Sequence, residues 1–149
     1  MDGEGEARET DGTEVYRLHD QIGFLLRQAT QRHIAIFGAR MGDRLTTTQW
    51  SALVKLAELE PISQNQLGRE TSMDVATVKG VVDRLVGRGF VRTAPDPRDG
   101  RRLVLGVTDE GRAAIARNLA VAAEVTRETL APLTPGERIL LAELLRRIA

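Results

Sequence analysis

Residues 90–111 constrain the fold of this chain more than any other segment. A first short strand begins at Phe90 and Val91, and a loop rich in Pro, Asp, Gly and Arg follows at residues 95–102. Three apolar residues then alternate with other residues, as one buried face of a strand requires: Leu103, Leu105 and Val107. The segment therefore predicts a β-hairpin with a basic tip, which can reach a phosphate backbone or a narrow minor groove.

Two helices are predicted before the hairpin. Ser63 and Gln66 have the spacing of a capping box, which begins a short helix that runs to about Glu70. A longer helix covers residues 74–86 and ends near Gly87. The apolar residues assigned to its buried side are Val75, Val78, Val82, Leu85 and Val86. This order of elements predicts a winged helix-turn-helix, with the longer helix in the major groove.

Four further helices are predicted around this unit, at about residues 14–40, 47–60, 108–131 and 134–148. Thr108 caps the third of these helices, and a second capping box with proline at the first helical position begins the last. The last helix is apolar over much of its circumference, which a small monomer would not cover. This favours a dimer, and the alternative is that the terminal helices only complete a monomeric core.

The composition is that of one core-forming domain. The chain has 149 residues, of which 42% are apolar and 28% charged, and it has no cysteine. No apolar run approaches the roughly 18 residues of a membrane span, and no signal peptide is visible, so we expect a cytoplasmic protein. The lack of cysteine excludes thiol-based redox sensing.

The charge is distributed unevenly, although 21 basic and 21 acidic residues balance over the whole chain. Residues 1–14 hold six acids and one base, so the remainder carries 15 acids and 20 bases. We expect an acidic, disordered tail over residues 1–13. Such a tail either competes with DNA for the basic face or only aids solubility.

Several segments resemble the MarR family of bacterial transcription regulators. At the hairpin these are Asp99-Gly100-Arg101, then Leu103-Val104-Leu105, then Val107-Thr108-Asp109-Glu110-Gly111, in which Val107 replaces the usual leucine. Residues 77–85 resemble the recognition helix of the family, with Gly80 where a larger, frequently basic residue is common. The resemblance extends over nearly the whole chain.

This resemblance implies a mainly α-helical fold with a β-hairpin wing, in a single domain at residues 14–149. Residues 14–45 and 109–149 would form the dimerisation helices, and residues 46–108 the winged helix-turn-helix lobe. It also implies a homodimeric repressor that binds a pseudo-palindromic operator in double-stranded DNA. A small aromatic effector, often a carboxylate, would release it.

The DNA contacts are expected on the recognition helix and the wing. Arg101 would enter the minor groove, and Asp99 would orient it through a charge-assisted hydrogen bond. Thr77 and Lys79 would read base edges or hold phosphate, whereas Asp74 has the alternative role of a helix cap. The candidate contacts are Ser63, Gln64, Ser72, Asp74, Ala76, Thr77, Lys79, Gly80, Arg84, Arg98, Asp99, Arg101 and Arg102.

The resemblance also implies an effector site between the dimerisation helices and the DNA-binding lobe. Residues 23–37 resemble the first helix of a subgroup that senses aromatic carboxylates such as hydroxynicotinate. Arginine and histidine would hold the carboxylate, and aromatic side chains would supply flat walls. The candidates are Arg27, His33, Phe37, Arg40 and Trp50. The alternative is that His33 is a hydrogen-bonded core or interface histidine.

Other classes of function find little support in the sequence. No nucleophile-base pair, glycine-rich phosphate loop or metal-ligand spacing is present, so we expect neither an enzyme nor a bound cofactor or metal. His19 and His33 would lie ~21 Å apart along a helix and cannot share one metal ion. The remaining alternatives are a winged-helix protein-interaction module and a DNA-binding protein that responds to no ligand.

Overall fold

The computed structural model describes residues 15–149, so the predicted acidic tail at residues 1–13 lies outside the described residues. A short 3-10 turn, Leu18–Asp20, precedes the first α-helix. The regular elements are α1 (Ile22–Arg40), α2 (Thr47–Leu59), α3 (Gln64–Glu70), α4 (Val75–Gly87), β1 (Val91–Pro95), β2 (Leu103–Val107), α5 (Asp109–Thr129) and α6 (Pro135–Ile148). The prediction of a mainly α-helical fold with a β-hairpin wing is confirmed.

The first helix begins later than predicted. Regular α-helix starts at Ile22 and not near Glu14, because Gln21 has an extended backbone (φ −82°, ψ 132°) and forms the N-cap. The side chain of Gln21 donates to the carbonyl of Arg17 and closes the preceding turn. The apolar residues of this turn, such as Leu18, are therefore exposed.

The core lies where α2, α4 and the wing meet. Its fully buried apolar side chains come from α2, α3, α4 and α5, and they are Leu53, Leu56, Leu67, Val78, Leu85 and Val125. On α5 the buried face consists of Gly111, Ala114, Asn118 and Val125. Leu119 of the same helix is 55% exposed.

The hairpin is antiparallel, with Val91 opposite Val107 and Pro95 opposite Leu103. The period-two prediction is wrong at the loop end of the hairpin, because Leu103 is 64% exposed whereas Val104 is buried. Two contacts explain this burial of consecutive residues. The outer edge of β2 pairs with Ile62, and Val104 lines a concavity with Pro61. The strand is thus covered on both faces.

Capping side chains define the helix starts. Thr46 and Gln49 form a reciprocal capping box on α2, and Thr134 and Glu137 form the predicted one on α6. The predicted box at α3 is only half formed among the described residues. There the Ser63 hydroxyl accepts the N–H of Gln66 at 3.2 Å, without the reciprocal bond.

The start of α5 packs against the root of the wing with no space for a side chain. Thr108 caps α5 by accepting the N–H of Gly111 at 3.0 Å, and its hydroxyl donates to the carbonyl of Gly89 at 2.6 Å. Its own N–H donates to the carbonyl of Phe90 at 3.0 Å. A Cβ on Gly111 would lie 2.2 Å from that carbonyl oxygen, so only glycine fits. This geometry accounts for the Thr-x-x-Gly part of the sequence pattern.

The terminal helices leave apolar side chains uncovered. None of the α6 residues is buried. The exposed large apolar residues of the 3-10 turn, α1, α5 and α6 are Leu18, Ile22, Leu25, Leu26, Ile34, Leu119, Ile139, Leu140, Leu144, Leu145 and Ile148. Uncovered apolar area of this extent is typical of an interface rather than of a monomer surface.

We expect Gly111→Ala to lower the free energy of unfolding by about 3 kcal/mol, because the new methyl group must displace the backbone at Phe90. The matched control is Gly80→Ala in α4, where the nearest atom to a new Cβ is an Arg84 nitrogen at 3.8 Å. That change should raise stability by up to about 1 kcal/mol. Denaturant unfolding followed by circular dichroism measures both, and equal stabilities would contradict the close approach at Gly111.

Candidate nucleic-acid interface and effector site

The turn between α3 and α4 is fixed by a close approach of the two helices. Gly68 is buried, and a Cβ there would lie 3.2 Å from both the Met73 carbonyl oxygen and Val78. The Met73 N–H donates to the Gly68 carbonyl at 2.9 Å. Ser72 adopts a positive φ of 54° within the turn, and its side chain is exposed. The turn therefore projects the first residues of α4 away from the core.

The first turn of α4 is the most exposed part of that helix. Asp74 caps it by accepting the N–H of Thr77 at 2.7 Å, and hydrogen bonds from Thr77 lower the pKa of the Asp74 carboxyl. Asp74 therefore acts as a helix cap, which is one of the two roles predicted for it from the sequence. Val75, Ala76 and Thr77 are all exposed, and Val75 retains 71% of its accessible surface.

Two of the apolar residues predicted on the buried side of α4 are not buried. Val75 precedes the first turn that packs on the core, and Val86, near the C-terminal end, is 39% exposed. Val81, which the sequence pattern omitted, is buried with Val78 and Val82. The packing face of α4 is therefore rotated toward Val81 and begins one turn later than predicted.

The rest of the outer face of α4 carries charge. The ammonium of Lys79 pairs with Asp83 at 2.6 Å, one turn along the helix. Gly80 leaves the neighbouring surface open. The Arg84 side chain makes no hydrogen bond or ion pair within residues 15–149. The Arg84 guanidinium is thus available to an anion, whereas Lys79 would have to leave Asp83.

Two aspartates build the wing tip. Asp96 accepts the N–H of Arg98 at 2.8 Å, and Asp99 accepts the N–H of Arg101 at 3.1 Å. The Asp99 carboxylate also pairs with the Arg102 side chain at 3.6 Å. The expectation that Asp99 orients the Arg101 guanidinium by a charge-assisted bond is therefore wrong, because Asp99 holds only the backbone amide of Arg101. The Arg98 and Arg101 side chains are exposed and unpaired among the described residues.

A polar groove of about 540 Å³ runs between α3 and the wing. It contains Ser63 and Gln64, both predicted as DNA contacts, together with Asn65, Arg102 and Leu103. Arg69 from the last turn of α3 completes the lining, and its side chain has no partner within residues 15–149. Arg69 is not among the predicted DNA contacts, although a cation in the helix before the recognition helix is a candidate phosphate contact.

A polar joint attaches the lobe to the long helices. Asp43, in the loop between α1 and α2, pairs with Arg117 at 3.1 Å and accepts from the amide of Asn118 at 2.7 Å. Asn118 is 2% exposed and also accepts the N–H of Gly42 at 2.9 Å. Arg88 at the end of α4 donates to the Asp43 carbonyl. The hydrogen bond from Arg117 is the main cause of the lowered pKa of Asp43.

Arg88 is consequently a structural residue. Its guanidinium stacks over the ring of Phe90, 4.6 Å from the ring centroid, and it contacts both Asp43 and Gln49. These contacts turn the side chain away from the exposed first turn of α4 and toward the long helices.

On the effector side, α1 packs against the end of α5. The Nδ1 atom of His33 lies 2.9 Å from the hydroxyl of Thr129, and the His33 and Phe37 ring centroids are 6.3 Å apart. Arg32 donates to the carbonyls of Glu128 and Thr129, at the negative end of α5. The alternative that His33 is hydrogen-bonded within the fold is what the structure shows.

The other predicted effector residues are dispersed. Phe37 is 5% exposed and belongs to the core, and Arg40 pairs with Glu128. Trp50 lines a separate concavity with Lys55, on another side of the lobe. Arg27 is exposed and has no partner among the described residues. The chain by itself thus brings His33 and Phe37 together but does not form a closed cavity around all five.

Comparisons with known proteins agree with this architecture. The sequence model of the MarR family matches residues 45–103. The transcriptional repressor NicR of Pseudomonas putida is 37% identical over 134 residues, which cover 89% of this chain and 85% of NicR. The chain belongs to the MarR family. It is a DNA-binding transcriptional regulator.

Two solved structures extend the comparison to the fold of MarR proteins. A probable transcriptional regulator from Pseudomonas aeruginosa is 53% identical, with a TM-score of 0.87 over 89% of this chain and 100% of that one. BpsR of Bordetella bronchiseptica is 35% identical, with a TM-score of 0.85 over 89% of this chain and 96% of that one. That structure concerns regulation of DNA binding by 6-hydroxynicotinic acid.

The described part of the MarR chain contains neither a membrane-spanning helix nor a cluster of metal ligands. No helix within residues 15–149 is both long and apolar enough to cross a membrane. Over the same residues, no group of three or more His, Cys, Asp and Glu side chains is placed to hold a metal ion.

We expect Arg101→Ala to weaken DNA binding by a factor of about ten or more, with a smaller dependence of affinity on salt. Because the Arg101 side chain is exposed, the variant should unfold at the same denaturant concentration as the parent. The matched control is Arg127→Ala, which removes a cation paired with Glu124 on α5. Fluorescence anisotropy on labelled duplexes measures both affinities. Equal affinity of Arg101→Ala and the parent protein would refute the role of the wing.

The joint at Asp43 predicts a pH-dependent loss of stability. Because the pKa of Asp43 is lowered in the folded chain, its ionised form stabilises the fold above about pH 4, the range of an unfolded aspartate. Asp43→Asn should be less stable than the parent at neutral pH, and the difference should vanish as the pH falls through the lowered folded value. Glu58→Gln removes an exposed carboxylate and should change stability little. A constant difference at all pH values would contradict the ion pair.

Proposed function

We propose that this MarR protein is a homodimeric repressor that binds a pseudo-palindromic operator and is released by a small aromatic carboxylate. The observation that carries the DNA-binding part is the arrangement of the lobe. An exposed first turn of α4 and a wing tip with the unpaired cations Arg98 and Arg101 are held on one rigid unit. Such a regulator would act in the cytoplasm, without catalysis.

The dimer is supported by the apolar surface of the terminal helices. Uncovered apolar side chains lie on α6, where Ile139 is 72% exposed, on the N-terminal segment at Ile22 and on α5 at Leu119. If a second copy of the chain covers this surface, a two-fold axis would relate the two DNA-binding lobes of the dimer. Two α4 helices would then meet half-sites about one turn of DNA apart, ~34 Å, which is why the operator would be pseudo-palindromic.

The class of effector is supported by the relatives and by the residues of α1. BpsR, whose DNA binding is regulated by 6-hydroxynicotinic acid, covers nearly the whole chain. In this chain the contact of His33 with Thr129 uses Nδ1 and leaves Nε2 for a ligand. Arg27 supplies an unpaired guanidinium, and Phe37 is the nearest aromatic ring. Arg40 is engaged by Glu128 and would join only if that ion pair opened.

Release would proceed as a shift between two dimer arrangements. The effector would bind where α1 meets the end of α5, and the Asp43 joint connects the same two helices to Arg88 at the end of α4. A small change in the packing of α1 on α5 would therefore alter the separation of the two recognition helices. Binding of effector and of DNA would oppose each other reciprocally.

The test is a titration of the full chain against labelled DNA from upstream of its own gene, with and without 6-hydroxynicotinic acid and a set of benzoates. We expect specific binding that one of these compounds abolishes. Binding that ignores every compound would remove the effector part of the proposal and leave the DNA reader. Absence of specific binding would refute the whole proposal and favour a protein-interaction module.

We expect His33→Ala to raise the effector concentration needed for half release by about tenfold, the loss of one hydrogen bond to a charged group. Affinity for DNA without effector should stay unchanged. His19→Ala is the matched control, because His19 is an exposed histidine whose ring has only an edge-on contact with Phe24 within the described residues. The same anisotropy titration serves both variants. Unaltered release in His33→Ala would show that this histidine has only a structural role.

A further inference from the structure

Val75 is the most exposed large apolar residue of the recognition helix. It is the first residue of α4 and retains 71% of its accessible surface, although valine has a low preference for an exposed helical position. Every other valine of this helix is buried except Val86, which lies at the opposite end and is 39% exposed. The position of Val75 therefore has no explanation in the packing of the lobe.

The neighbours of Val75 are mostly polar, and their side chains are exposed to solvent. Asp74 occupies the cap, Ala76 and Thr77 are exposed beside it, and Lys79 lies one turn further along the same side of the helix. The first residues of a recognition helix are those that contact base edges in the major groove. The terminal helices, whose exposed apolar residues would form the dimer, lie outside the lobe that carries Val75.

In the major groove only one base pair offers an apolar group, the C5-methyl of thymine. A branched aliphatic side chain next to a lysine that can reach guanine or phosphate matches a thymine with a polar neighbour. We infer that Val75 is a specificity-determining residue, which packs its γ-methyl groups on a thymine methyl in each half-site of the operator. This inference rests on the proposed operator-binding function and specifies one base that the protein would contact in each half-site.

The experiment begins with selection of binding sequences by the full-length protein from random duplexes of about 30 base pairs, long enough for two half-sites. Each thymine of the enriched sequence is then replaced in turn by deoxyuridine, which keeps the Watson–Crick edge and removes only the methyl group. We expect one symmetry-related thymine per half-site at which this change weakens binding about fourfold, the value for one buried methyl group. Replacing both should weaken binding about fifteenfold.

Val75→Ala should bind the thymine duplex with the reduced affinity of the deoxyuridine duplex and should no longer distinguish the two. Because Val75 is exposed, the variant should keep the stability of the parent. Val86→Ala is the matched control on the same helix and should retain the full discrimination.

The outcomes separate the two claims. If sequences are enriched but Val75→Ala still discriminates thymine from deoxyuridine, the methyl is read by another residue, such as Ala76 or Thr77, and the inference is overturned. An enriched sequence with no sensitive thymine overturns it equally. If no sequence is enriched, sequence-specific binding itself fails, and the role of Val75 fails with it.

Discussion

The DNA-binding arrangement of the molecule depends on the contact between the start of α5 and the carbonyl groups at the root of the wing. Gly89 and Phe90 end the recognition helix region and begin the hairpin, and Thr108 binds both of their carbonyls while it caps α5. Gly111 lets α5 approach so closely that no side chain would fit. A single backbone junction thereby fixes α4, the wing and a dimerisation helix relative to one another. The glutamate at the end of α2, Glu60, strengthens it by accepting the Val107 N–H and pairing with Arg112 of α5.

The polar joint at Asp43 attaches the lobe to the long helices at a second place. The wing root joins α5 near its first residue, whereas Asp43 joins α5 two turns later through Arg117 and Asn118. A rigid body attached to a helix at two separated points must follow any tilt of that helix. Asn118 is fully buried, and each of its polar atoms is hydrogen-bonded, so this attachment is costly to break. The lobe would therefore respond to an effector by moving as a unit, with little internal rearrangement.

Local patterns predicted the elements well, but they could not predict which faces are covered. The capping residues Thr108 and Thr134, and the order of helices and hairpin, follow from short-range chemistry that the sequence displays directly. Burial depends on what packs from elsewhere in the chain. Val104 is buried because Pro61 and Ile62 return to cover β2, and the polar Asn118 is buried because the loop at Asp43 supplies its hydrogen-bond partners. In the effector region, the pairing of Arg40 with Glu128 joins residues 88 positions apart, which no periodicity indicates.

The arrangement of ion pairs explains how a chain with no net charge can present a cationic surface. Several cations outside the reading face are paired with carboxylates, among them Arg112 with Glu60 and Arg127 with Glu124. At the wing tip, by contrast, the carboxylates of Asp96 and Asp99 accept backbone N–H groups, and only Arg102 is paired with one of them. Those aspartates shape the loop without neutralising Arg98 or Arg101. Binding of a polyanion depends on the number of unpaired cations that can neutralise its phosphates and so release its counterions. Ion pairing within the protein sets this number, and the total charge does not.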